Sequence, residues 1–352
     1  MTDARAAAPL TIAEQGSFWV GVERVERPFG TVATGQMYVQ FQIPSERRHP
    51  HALVMVHGGG GQGLDFIATP DGRPGWATDF LRRGHAVYVV DRMAHGRAPH
   101  HPDVQGPATP PPSYERMVEL FSAPAKHAGY PQARLHTQWP GSGEVGDPAL
   151  DQFMAGQGGM LASMAETHRA MRKGGAALLD RIGPAVLMTH SMGGAFGWLA
   201  ADARPSLVKA IVALEPVGPP FMQMPGGMGG LDWGLTAIPM AYDPPAANAG
   251  ELRRAPYPAP GPGLVDAVIQ AEPARRLKNL AGIPILLVTS EASWMAQFQH
   301  ATAAFLRQAG ADVRHLRLEE AGIRGNGHLM MGEKNSAAIA ALLDEWIAER
   351  TK

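Results

Sequence analysis

The run Pro184-Ala185-Val186-Leu187-Met188 passes without a charged residue into Thr189-His190-Ser191-Met192-Gly193-Gly194, and this junction restricts the fold more than any other segment. An unbroken apolar run suits a strand covered on both faces, and the small residues after it allow a helix to pack close to the sheet. The pattern predicts a strand, a sharp turn with Ser191 at its apex, and a helix that starts at once. Such a nucleophile elbow holds a hydroxyl above the sheet in a strained turn. The position two residues before the serine, usually glycine, is Thr189, a small residue that fits beneath the turn. A strand-serine-helix junction without chemistry has the same local pattern, so the rest of the chain decides.

Further short apolar runs occur at 52–56, 86–90, 185–188, 210–214 and 283–288, with a more polar one at 313–318. Helical patterns lie between most of them, at 76–83, 160–179, 192–203, 297–309 and 336–350. Near the start, alternating segments at 17–22 and 37–42 read as antiparallel strands joined by a loop with Pro28 and Gly30. The expected class is α/β, with a mostly parallel sheet of about eight strands and helices on both faces. Residues 1–352 form a single domain in this reading, carrying two long insertions. Segment 97–157 is crowded with Pro, His and Gly, and segment 216–262 is richer still. Long loops inside a domain often serve a site. The second segment also carries Phe221, Met222, Met224, Met228, Leu231, Trp233, Met240 and Tyr242, which suits a loop-rich cap over an apolar pocket. The bland alternative is a surface loop tucking these side chains into the core.

Lys and Arg (31) nearly balance Asp and Glu (32), giving a formal net charge of −1. No global field then attracts nucleic acid or an anionic membrane surface, and a small, largely uncharged partner is expected. The absence of cysteine removes disulfides, thiolate catalysis and thiolate metal sites. Residues 1–10 hold an acid and no apolar block like a signal-peptide core, and no later run has the length of a membrane span. A cytoplasmic protein is the expectation.

A serine hydroxyl needs a base, a group to fix that base, and donors for the oxyanion it generates. Val56-His57-Gly58-Gly59-Gly60-Gly61 follows the third expected strand and exposes backbone N–H groups, so Gly59, with Gly60 as its neighbouring alternative, supplies one donor. Met192, directly after the serine, supplies the other. A phosphate-binding loop is the rival reading, but no Lys-Ser/Thr pair follows the glycines. His57, Gly58, Gly60, His95, Met222 and Trp233 are candidate pocket residues. Among 14 histidines, His328 lies in a glycine-rich loop after the last expected strand and is the preferred base, with His95 second. His190, beside the serine, reads as support for the elbow. For the acid, Glu215 ends the sixth expected strand before Pro216 and is favoured over Glu291, which follows the seventh. Glu215 pairing with an arginine such as Arg97 and Glu291 capping a helix are the structural alternatives. Scattered His and carboxylates, including His100-His101, show no metal-ligand spacing.

With these residues in place, the chain from about residue 17 onward resembles the α/β-hydrolase superfamily. The likeness rests on Ser191 in Thr-His-Ser-Met-Gly-Gly, the His57-Gly-Gly-Gly loop, Asp91 after the fourth strand and His328. More narrowly, Thr69-Pro70-Asp71-Gly72-Arg73-Pro74-Gly75-Trp76 and Gly325-Asn326-Gly327-His328-Leu329-Met330-Met331 resemble bacterial serine esterases whose triad acid is a glutamate after strand six. The resemblance implies carboxylic-ester hydrolysis without a cofactor, a homodimer, and Glu215 as the acid. An amidase or lactonase with the same triad is the alternative within enzymes. Epoxide hydrolases and haloalkane dehalogenases share this fold but place a carboxylate at the elbow, which Ser191 is not. A non-catalytic ligand-binding relative is the alternative outside enzymes, although such proteins usually lack part of the triad.

Overall fold

The apolar runs become the strands of one sheet. The computed structural model describes residues 9–352, and its sheet comprises β1 (Ile12–Val20), β2 (Met37–Pro44), β3 (Ala52–Val56), β4 (Val87–Asp91), β5 (Ala185–His190), β6 (Val208–Leu214), β7 (Pro284–Thr289) and β8 (Asp312–Arg317). Their spatial order is β1-β2-β4-β3-β5-β6-β7-β8. β3 to β8 run parallel, while β2 is antiparallel to both β1 and β4. Every residue of β3 and β5 is buried, as their unbroken apolar sequences require.

Alternation along the strands sends successive side chains to opposite faces. Val54, Val56, Leu187, Ile211 and Leu287 point to a core shared with α2 (Met164–Ile182), α3 (Gly194–Ala203) and α4 (Gln299–Gln308), where Leu178, Phe196 and Phe305 lie. Leu53, Met55, Val186, Val212 and Leu286 point to a second core under α1 (Trp76–Arg82) and α5 (Ser336–Arg350), filled by Trp76, Phe80, Leu343 and Trp346. Thus helices cover both faces, and the C-terminal ends of β3, β5, β6 and β7 emerge at one edge, where the candidate residues gather.

Most elements fall within a few residues of their expected bounds. α2 starts later than its apolar pattern, because the side chain of Ser163 accepts the Glu166 N–H and sets the N-terminus there. The elbow turn Ser191–Gly193 is a short 3-10 segment before α3 begins. Segment 97–157 folds into short helices, including Tyr114–Met117 and Pro148–Ala155, and sends Met117, Trp139, Leu150 and Phe153 into the second core. Segment 216–262 divides its apolar side chains. Phe221, Trp233, Met240 and Tyr242 join the main core, whereas Met228 and Leu231 pack with Met192 beside the elbow. Trp233 is therefore a core residue and not a pocket wall, a correction to its expected role; the Tyr242 hydroxyl donates to its backbone carbonyl at 2.8 Å. Among the described residues no helix is long and apolar enough to cross a membrane.

The approach of α3 to the strand that follows it leaves no room for a methyl group at its first residue. A Cβ added to Gly194 would lie 2.4 Å from Pro216 Cβ and 2.9 Å from its Cα, both held by the proline ring. Gly194→Ala is expected to lower stability by about 1–3 kcal/mol through overpacking, read by urea unfolding; an unchanged midpoint and slope contradict this packing.

Candidate active site

Ser191 follows β5 with φ +53°, in the left-handed region that a non-glycine residue adopts only when its surroundings enforce it. Two constraints are visible. Its carbonyl accepts the Val217 N–H at 3.0 Å, and Thr189 beneath it is fully buried, with its Cγ2 within 3.4 Å of where a Gly197 Cβ would stand. A threonine thus occupies the place of the usual glycine because the facing helix position is itself glycine.

Glu215 follows β6 with φ +44° and is fully buried. Its Oε1 accepts the Ser290 N–H at 2.7 Å, and its Oε2 accepts the Ser293 hydroxyl at 2.7 Å and the His328 Nδ1–H at 2.5 Å. Both serines follow β7, so two strand ends converge on one carboxylate. His328 is also fully buried, and its Nε2 has no hydrogen-bond partner among the described residues. Its ring lies against Phe121 and Trp294, with centroids 5.4 and 5.3 Å away. The His328 carbonyl accepts the His190 Nε2–H at 2.9 Å, tying the histidine loop to the residue before Ser191. Burial disfavours charge on both members of the pair, pushing the Glu215 carboxyl up and the His328 imidazole down. The donors from Ser290 and Ser293 favour the carboxylate form.

Glu291 is elsewhere engaged. It accepts Arg324 Nη1 at 2.6 Å and the Gly325 N–H at 2.8 Å, bracing the start of the His328 loop. The end of that loop is held by Glu333, fully buried, which accepts from His136 Nε2 (2.7 Å), Asn326 Nδ2 (2.7 Å) and the Gly327 N–H (2.9 Å).

The glycine loop lies directly over the elbow. A Cβ on Gly58 would stand 3.1 Å from Ser191 Cβ and 2.9 Å from His190 Nδ1, and one on Gly59 would stand 2.7 Å from Met192 Cγ and 2.6 Å from Met160 Sδ. Only glycine admits such an approach. The Gly59 N–H meets no acceptor among the described residues, and Met192 sits in the first helical turn, where N–H groups lack intrahelical partners. Gly60 instead accepts the Gly158 N–H at 2.7 Å and links the loop to the end of the first insertion. Asp91 fastens the loop's far side, accepting the Gly63 N–H at 2.6 Å and the Arg97 N–H at 2.8 Å. His57 and His95 lie beneath, buried and held neutral by desolvation, His95 down to about 3. His95 also lines a cavity of about 330 Å³ with Gly60, His100, Thr109 and Gln157.

A family model described as alpha/beta hydrolase fold matches residues 51–238, more than half of the chain. The chain belongs to the α/β-hydrolase family. It is 43% identical over 316 residues to the probable secreted lipase phiG of a fungus (Fungal sp., strain ATCC 74256), an alignment covering 89% of this chain and 86% of that protein. A bacterial esterase of known atomic-resolution structure superposes with a TM-score of 0.62 at 23% identity, covering 98% of each chain, and shows the shared fold. The secreted designation of the fungal relative overturns the expectation of a cytoplasmic location. That expectation leans on the make-up of residues 1–10, of which residues 1–8 lie outside the described residues.

The side chains packed beside the elbow are rich in methionine. Met164, Met192, Val217, Met228 and Leu231 form a buried cluster, and the half-buried Met160, Met222 and Met224 pack on it. Among the described residues the group with metal-ligand potential is His49, His85 and Asp344, whose ligand atoms lie within 4.8 Å of one another. The two imidazoles are stacked 3.5 Å apart at 7°, so their in-plane lone pairs run parallel and do not converge on one ion. His49 and His85 also precede β3 and β4, at the sheet edge opposite Ser191.

The sequence reading did not single out Ser290, Ser293, Phe121, Trp294, Glu333 or Arg92. Phe121 and His136 lie in an insertion whose fold carries no periodic signal. Ser293 is three residues beyond β7, a spacing that a search for the acid passes over.

Several histidines besides the Glu215–His328 pair are buried neutral. Desolvation holds His57 and His190 well down, His95 and His168 at about 3 and His315 at about 4, while burial pushes Asp65 up to about 7. Below pH ~6.5 the unfolded chain protonates these histidines and the folded one does not, so protons favour unfolding; Asp65 opposes this by one proton. Unfolding free energy should therefore fall by more than about 1.4 kcal/mol per pH unit between pH 6.5 and 5. Urea titrations across that range check it, and a rise in stability toward pH 5 contradicts the neutral assignments.

Proposed function

We propose that the protein is a serine carboxylesterase that cleaves small to medium, mainly apolar esters through an acyl-enzyme. The reading is carried by one observation: a buried carboxylate bonded at 2.5 Å to Nδ1 of a buried histidine whose Nε2 has no partner among the described residues, with a strained serine and an open glycine loop alongside. Family membership and a relative named a lipase support the reaction class. In this scheme His328 Nε2 takes the Ser191 proton as Oγ attacks the acyl carbon. Glu215 keeps Nδ1 protonated and stabilises the imidazolium without itself being protonated. The carbonyl oxygen becomes an oxyanion held by the N–H groups of Gly59 and Met192. Collapse expels the alcohol, which receives the proton from His328. Water, deprotonated by the same histidine, then attacks the acyl-enzyme and releases the acid and the free serine.

The methionine cluster takes up the apolar part of the ester, since unbranched thioether chains adapt to irregular shapes. Segments 97–157 and 216–262 act as the cap, the first bringing Phe121 to the His328 ring and the second bringing Met222, Met224 and Met228 to Met192.

Two measurements follow. Ser191→Ala should abolish turnover with the fold intact by circular dichroism, and Glu215→Gln should lower kcat by about 10⁴-fold by admitting the wrong tautomer; full activity in Ser191→Ala means the nucleophile is misassigned. Across p-nitrophenyl acetate, butyrate and hexanoate, kcat/KM should rise by up to about fourfold per methylene, the equivalent of ~0.8 kcal/mol. A steady fall from acetate onward contradicts an apolar acyl site.

A further inference from the structure

Arg92 follows β4 directly and is only 3% exposed, yet its bonds are not to a carboxylate. Neighbouring Asp91 is taken by Arg97. Arg92 Nη2 instead donates to Gly58 O at 2.5 Å and to His95 Nε2 at 3.3 Å, and its Nε has no partner among the described residues. Two neutral imidazoles fix it in place. The Arg92 backbone N–H donates to His57 Nε2 at 3.1 Å, and His57 Nδ1–H donates to the same Gly58 O at 2.8 Å. His95, whose Nδ1–H donates to Met93 O at 2.9 Å, presents Nε2 as an acceptor. A buried cation and an imidazole N–H thus converge on one carbonyl.

That carbonyl belongs to the peptide unit whose other end is the Gly59 N–H. The two ends are coupled by amide resonance, so drawing electron density to the oxygen makes the nitrogen a better donor. Bonds from an ionised donor are roughly twice as strong as neutral ones, and a dry setting keeps the field of the guanidinium unscreened. We propose that Arg92 is a positioning residue for ester cleavage, which orients and polarises the Gly58–Gly59 peptide so that the Gly59 N–H binds the oxyanion more strongly than an ordinary amide. The inference rests on the reading of Gly59 as an oxyanion donor. Burying a cation is costly; the nearby Asp65 carboxyl favours the charge electrostatically, and the hydrogen bonds of the guanidinium go to the Gly58 carbonyl and to His95.

The test compares Arg92→Lys, which keeps the cation, with Arg92→Gln, which keeps a donor but loses the charge, both as folded protein. The expected result is a kcat lower by about 10- to 100-fold in Arg92→Gln, short of the 10²–10³ seen when a whole oxyanion donor is lost. Arg92→Lys should recover much of it, KM should stay within about twofold, and inhibition by a trifluoromethyl ketone, which forms a tetrahedral oxyanion on the serine, should weaken in step with kcat. Equal kcat in the two variants, a loss confined to KM, or unchanged ketone inhibition overturns the inference. Where Arg92→Gln does not fold, Arg92→Met, which keeps an unbranched stem and loses the charge, takes its place: a reduced kcat at unchanged KM supports the role, and wild-type constants overturn it. Ser191→Ala assayed alongside separates the two claims, because activity surviving there removes the esterase reading itself, whereas its loss with wild-type behaviour of the Arg92 variants removes only this one.

Discussion

The site depends on a hydrogen bond made where water cannot compete. Glu215 and His328 are both fully buried and meet at 2.5 Å. In a low-dielectric interior an ionisable group without partners is a heavy liability, so the surrounding structure must bring donors to both oxygens of the carboxylate. Ser290 and Ser293 do so from the end of β7, while Glu215 itself arrives from the end of β6. The carboxylate therefore requires two adjacent parallel strands to end at the same level. The parallel sheet provides this, and the elbow after β5 places Ser191 at that same edge.

A second layer of buried polar groups holds the loops that strands alone do not fix. Glu333 gathers His136, Asn326 and Gly327, and Asp91 gathers Gly63 and Arg97. His190 donates to the His328 carbonyl. Three of these carriers, Glu333, Asp91 and His190, lie one to five residues from a proposed catalytic group or in the strand turn beside it, so rigidity is supplied locally. The first insertion takes part through His136, and Gly158, directly after its end, ties the chain there to Gly60 of the glycine loop.

How much of this was legible depended on whether the signal was local. The strands at 52–56 and 210–214 and the helix Ser336–Arg350 were readable because burial on both faces, or on one stripe, writes itself as a period in the sequence. Ser191, Glu215 and His328 could be singled out because each sits at a strand end or in a glycine-rich turn next to such a period, and the structure brings Glu215 and His328 together while sending Glu291 to Arg324. Trp233 was misplaced because a tryptophan in an irregular segment gives no sign of which side it faces; here it packs in the main core. Arg92 passed unnoticed because a buried arginine bonded to a backbone carbonyl has no motif. Its meaning lies in the peptide it touches, which only coordinates reveal. Location could not be read from the chain's own residues, and similarity to a secreted relative corrected it.

The central claim is that Ser191 is an activated nucleophile, and it can be tested without knowing the natural substrate. Intact-mass and peptide-mapped labelling with a small fluorophosphonate should show one adduct per chain, on the peptide carrying Ser191, and none in His328→Ala. Absence of labelling in folded wild-type protein, or labelling at another residue, would contradict the account.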